Sequence, residues 1–283
     1  MSGFQRALLG EWFLLTRRKG MRWALALVAL AAFGRVAVGY LLFRLQESAG
    51  GGGMAAHAAW NFWPQFALGA RAAMFLAELM LLGWVVSSLP REIASGAARD
   101  PLSRQISRSA FMSARMLSGL GAGLVLWFMA IATAWLSAQV FFDPGDIMEG
   151  GDLYLEQAEV RGPIYASVLH ALPPLLALGA LATFLSAFCR RSVLAAGAGL
   201  ICVLLPGIFH DSLGSFAPWL FADTLGGFGE DSFLVESAGF ASAIAQAYPA
   251  NFDEIVKVGW IAPWPTLLVF GLFSLLAFRK RPL

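Results

Sequence analysis

Charge is scarce in this chain. Asp, Glu, Lys and Arg make up only 13% of its 283 residues, while 58% are hydrophobic. A water-soluble domain cannot bury so much apolar surface, so lipid is the solvent for most of the chain. Cysteine is nearly missing. Cys189 and Cys202 give neither a disulfide framework nor the ligand spacing of a zinc site, and both read as small packing residues. The three histidines, His57, His170 and His210, are scattered. His170, His210 and Asp211 fall toward one face, but without metal-ligand spacing they read as separate interfacial side chains. The dipeptide Gly-Lys does not occur, which excludes a phosphate loop of the G-x-x-x-x-G-K-[ST] kind. H-E-x-x-H and G-x-S-x-G are absent too. The expectation is a chain that is not itself an enzyme, holds no metal or cofactor, and has membrane lipid rather than nucleic acid around it.

What is present is a series of long apolar runs. They predict an all-α integral membrane protein with six transmembrane helices, at 23–45, 66–89, 112–142, 164–189, 192–210 and 261–278. Residues 1–20 hold Phe4, Leu8, Trp12 and Leu15 among Gln5, Arg6 and Glu11, an imperfect amphipathic helix too short and charged to cross. A cleavable signal is the competing reading of the first run, and the length of that run argues against it. Trp60, Phe62 and Trp63 suit an aromatic belt. Pro173-Pro174 should kink the fourth span. Residues 211–259 form a long segment between the last two spans, with a possible re-entrant stretch from Leu213 to Ala222 and a short helix from Ser237 to Ala247.

Sidedness follows from counting. Of the 20 Lys and Arg, fifteen fall on one side: Arg6, Arg17, Arg18, Lys19, Arg22, Arg91, Arg99, Arg104, Arg108, Arg115, Arg190, Arg191, Arg279, Lys280 and Arg281. Fourteen of the 18 acids fall on the other. The positive-inside rule then places both termini in the cytoplasm and the acidic stretches 143–163 and 211–259 outside.

Two opposite charges lie deep in the first two spans. At 1.5 Å per residue Arg35 and Glu78 both sit ~16–18 Å above the inner boundary. A lone charge there is expensive, so an Arg35–Glu78 ion pair is expected. Small residues at four-residue spacing permit close helix contacts: Gly119 with Gly123 for packing inside the chain, and Ala195 with Gly199 for a dimer seam.

The longest basic interruption on the inner side runs through residues 90–111 to Arg115, with five arginines against Glu92 and Asp100. Asp100-Pro101 can cap and start a helix. Leu102, Ile106, Ser109 or Ala110, and Ser113 would then share one face, and Arg104 and Arg108 another. A short capped helix with an apolar edge and paired arginines exceeds what sidedness alone requires, and suits docking to a cytoplasmic partner.

At this stretch the sequence resembles the permease subunits of ABC-2 type transporters, the NosY-like group. Those chains place a Glu and a Gly after the second span, matched by Glu92 and Gly96. A Pro-x-Ser-Arg element, an aromatic residue and a basic residue follow, matched by Ser107-Arg108, Phe111 and Arg115. Gln105 stands where the proline is expected, and Pro101-x-x-Arg104 offers a similar element upstream. The position between spans two and three, the amphipathic N-terminal helix and the long outer segment fit as well. The resemblance implies a subunit, of an exporter in most such systems, that dimerises with a second permease chain, alike or related. Two separate ATPase subunits would carry ATP-Mg, and 90–111 would be the coupling helix that they push. Glu92, Gly96, Pro101, Arg104, Ser107, Arg108, Phe111 and Arg115 would form the contact. An outer protein partner is also compatible. A membrane anchor, or a force-transmitting subunit without a transport path, is the alternative.

Overall fold

In the computed structural model the described residues are 3–17, 19–48, 60–98, 106–149, 152–229, 232, 234, 236–237, 239 and 252–279. They are almost entirely helical, because lipid offers no partner for a backbone N–H or C=O and a helix satisfies both within one segment. In chain order they form α1 (Gly3–Arg17), α2 (Lys19–Ser48), α3 (Phe62–Ala94) and α4 (Arg108–Phe141). A hairpin of β1 (Ile147–Glu149) and β2 (Asp152–Leu155) comes next. Then come α5 (Gln157–His170), α6 (Leu172–Phe188), α7 (Ser192–Ile208), α8 (His210–Leu213), a 3-10 turn (Gly214–Trp219), α9 (Phe252–Ile261) and α10 (Pro263–Arg279).

Among the described residues five helical segments are long and apolar enough to cross a membrane: Lys19–Ser48, Phe62–Ala94, Arg108–Phe141, Gln157–Phe188 and Lys257–Arg279. The fold is that of a multi-pass membrane protein. Helix α7 is apolar but has 17 residues, about 26 Å of helix.

Helix α3 is the hub. It packs against α2, α4, α6 and α7, and buries residues along most of its length. Asn61 starts it, extended at φ −102°, its side chain accepting from Trp63 N at 3.5 Å. At the far end Pro90 lies inside the last turns, and the helix reverses through Gly96, whose φ of +77° belongs to glycine. Helix α6 is sandwiched between α3, α4 and α10. Its Pro173 and Pro174 sit in the first turn, where a missing N–H costs no bond. The expected kink in the fourth span is therefore a break at Ala171 between two helices.

Other expectations also change. Phe62 and Trp63 are not a belt: they are 0% and 1% exposed, in a ring cluster with Phe66, Trp135 and Tyr165. That cluster is pinned to the hairpin approach. Trp63 Nε1 donates to Gly145 O (3.2 Å), Asn61 Nδ2 to Asp146 O (2.9 Å), and Gln157 N to Asp146 Oδ1 (2.8 Å). The region read as an acidic loop thus contains a paired hairpin and the capped start of α5, where Glu156 and Glu159 form a reciprocal capping box. The expected helix from residue 101 falls on residues 99–105, which lie outside the described residues. Helix α4 begins at Arg108, after an extended Ser107 (φ −64°, ψ 149°) whose Oγ accepts from Ala110 N at 3.2 Å. Pro101 and Arg104, and most of Ser237 to Ala247, lie outside the described residues.

Candidate functional site

At the Arg- and Lys-rich end of the bundle four helices meet in a polar knot. Glu92 comes from the last turn of α3, Arg115 from the second turn of α4, and Glu11 from the inward side of α1. Arg115 Nη1 lies 2.6 Å from Glu92 Oε2 and 3.6 Å from Glu11 Oε1. The three side chains are 5%, 16% and 12% exposed in that order, so the guanidinium is shielded and lies between two carboxylates. Two turns earlier Arg108 Nη1 donates to the Arg279 carbonyl at 3.1 Å and ties α4 to the end of α10. Beside it Phe111 is buried against Phe278, ring centroids 5.7 Å apart, within an apolar cluster with Leu89, Met112 and Ala187.

This geometry redistributes the residues expected to touch a partner. Glu92 and Arg115 are turned toward each other. Phe111 is core, Ser107 is a helix cap, and Gly96 supplies the helix reversal. Arg91 and Arg108 present exposed side chains at this end. Helix α1 does more than lie in an interface: it packs along α4, with Trp12 over Gly121, where an added Cβ would stand 2.9 Å from Trp12 Cζ2. Glu11 was the participant missed, although one acid on a helix otherwise rich in Arg and aromatic residues is the visible signal.

The expected Arg35–Glu78 ion pair is not formed. Glu78 is fully buried and accepts from the backbone instead: Gly227 N donates to Oε1 at 3.1 Å and Phe228 N to Oε2 at 3.3 Å. The chain after the 3-10 turn folds down onto α3 there, and the Phe75 and Phe228 rings lie 4.4 Å apart. Gly227 is required by contact, since a Cβ would overlap the Phe75 backbone. Two converging N–H groups satisfy a carboxylate without a cation. Arg35 lies a helix turn before Gly39, and a Cβ on Gly39 would stand 3.3 Å from Arg35 Nη1 and overlap the Gln65 side chain, on which α2 closes.

The proposed dimer seam is also spent internally. Ala195 is buried, and a Cβ on Gly199 would reach Leu82 Cδ1 at 2.8 Å, so this face of α7 packs on α3. Gly119 and Gly123 face Val85, Thr183, Leu81 and Leu175 within the chain, which is the close packing expected of them. His170 Nδ1 pairs with Ala166 O (2.6 Å) and its ring meets Trp260, while His210 Nδ1 lies 3.8 Å from Asp223 Oδ2. Among the described residues no three His, Cys, Asp or Glu side chains gather as metal ligands. No protein-family model and no curated protein sequence matches the chain.

Proposed function

We propose that the chain is the permease subunit of an ATP-driven ABC-2 type transporter, an exporter, that turns work done by separate ATPase subunits into movement of its spans. The Glu11–Arg115–Glu92 clamp carries this reading. It joins α1, the end of α3 and the start of α4, and the basic segment 99–107 links the last two along the chain, so a push on that segment would reach three helices at once. The chain offers no phosphate loop, which is consistent with ATP-Mg being held by two partner chains. In this reading α7 is a sixth crossing, both termini are cytoplasmic, the membrane is the inner one, and a second permease chain completes the complex. The seam with that second chain excludes the Ala195 and Gly199 face. ATPase contact falls to Arg104 and to Arg108, the latter exposed at the rim, with Glu92 and Arg115 holding the helices behind it.

Affinity purification in mild detergent tests it. An ATPase chain should co-elute, and the double reversal Arg104→Glu with Arg108→Glu should lower coupled ATP hydrolysis by roughly tenfold, a loss of ~1.4 kcal/mol of coupling, at unchanged melting temperature. Elution without any ATPase would sink the transporter reading in favour of a membrane anchor or assembly subunit.

A further inference from the structure

An open groove of 470 Å³ runs down the face where α4 and α5 meet, with Phe66 of α3 at its back. That volume lies in the range of ligand sites, roughly 300–1,000 Å³. Its walls are apolar: Trp127, Phe128, Ile131 and Trp135 from α4, and Tyr165 and Val168 from α5. The deep end is polar-silent because Trp127 Nε1 is already used, donating to Val168 O at 2.9 Å. The other end, about two helical turns or ~12 Å away along α4, closes on Trp135 and Tyr165, ring centroids 6.0 Å apart. One turn beyond Tyr165 stands Arg161, exposed, its guanidinium carbon 5.2 Å over the Tyr165 ring. Among the described residues no carboxylate pairs with Arg161.

The groove follows two membrane-spanning segments, so it lies along the bilayer normal with the cation at its hairpin end. We infer that it is a binding site for one resident glycerophospholipid, an acyl chain lying against Trp127, Phe128 and Ile131 and the phosphodiester on Arg161. An arginine stacked on an aromatic ring is held ready for a phosphate, and the stacked ring also walls the chain below it. A helix of a second protein copy would fill the apolar length and leave the arginine without an anion. The inference is independent of any transport role.

Native mass spectrometry of the full chain released from nanodiscs tests it, with dioleoyl phosphatidylethanolamine in one arm and dioleoylglycerol, which has the same chains and no phosphate, added in the other. One phospholipid should stay bound per chain, and the phosphate-free lipid should be retained about fivefold less, the factor one interfacial cation supplies. Arg161→Gln should erase that difference without disturbing the fold, because the side chain is exposed. Ala132→Phe, which fills the groove, should lose both lipids. Absence of any retained lipid, equal retention of the two lipids by the unaltered chain, or retention unchanged in Ala132→Phe would overturn the site. So would a dimer that Ala132→Phe converts to monomer, since that assigns the groove to a second copy. Should Ala132→Phe fail to fold, the Arg161→Gln comparison decides alone.

Discussion

Glu78 is held by two backbone amides, and this sets how it responds to change. Glutamine in its place keeps one acceptor but turns an NH₂ group toward an N–H that needs an acceptor. Leaving one buried donor unpaired costs about 1–3 kcal/mol. The Glu78→Gln chain should therefore melt below the unaltered one in detergent, and Glu78→Leu lower still, since it strands both the Gly227 and Phe228 N–H groups. An unchanged melting temperature for Glu78→Leu would mean that the carboxylate does not hold the segment in place. Arg115 behaves differently because it separates two acids. Its removal leaves Glu11 and Glu92 together with little water, and losing one partner of a buried ionic group costs about 3 kcal/mol. A double-mutant cycle of Arg115→Met with Glu92→Gln should give a coupling energy above ~1 kcal/mol, whereas additive losses would show that the contact is incidental.

Helix α1 tests how far an element's place depends on one small residue. It is held to α4 by Glu11 and by Trp12 on Gly121, while Leu9, Phe13 and Leu14 stay exposed. Gly121→Leu puts side-chain carbon where the indole lies. Tryptic cleavage near Arg17 should then speed up by roughly tenfold, equivalent to ~1.4 kcal/mol of lost docking, and an unchanged rate would show that α1 is anchored elsewhere. The long helices were legible in the sequence because apolar runs are a local property, and so was the amphipathic helix over the first residues. Partners were not legible where the donor is backbone. Nothing at Gly227 or Phe228 marks their amides as ligands of a carboxylate 149 residues away. Small-residue spacing showed that Ala195 and Gly199 sit in a close contact, but not that α3 supplies the other side. The family resemblance put Glu92 and Arg115 together on a docking surface, and their inward pairing depends on where α3 ends and α4 begins.

For the whole molecule the open quantity is the number of crossings, and it rests on α7. Five segments have ample length, but Ser192–Ile208 provides about 26 Å of helix against a hydrocarbon core of ~30 Å. Two features would make up the difference in a crossing. Arg190 and Arg191 stand exposed at its start and can reach out to the headgroups, and the chain continues past its end through α8 and the 3-10 turn, where Phe216 and Trp219 are exposed. Its inner face is fixed by Ala195, Gly199 and Val203 on α3, itself a full crossing, so α7 lies within the same layer as the bundle. In the proposed six-span reading α7 starts beside α6 at the basic end and carries the chain to the opposite face. Single cysteines at Arg191 and Asp211, in a chain with Cys189 and Cys202 replaced by serine, should react with a membrane-impermeant maleimide from opposite faces of sealed vesicles. Both labelling from one face would reduce the crossings to five, put the two ends of the chain on opposite sides, and remove the basis for assigning the acidic segments to the exterior.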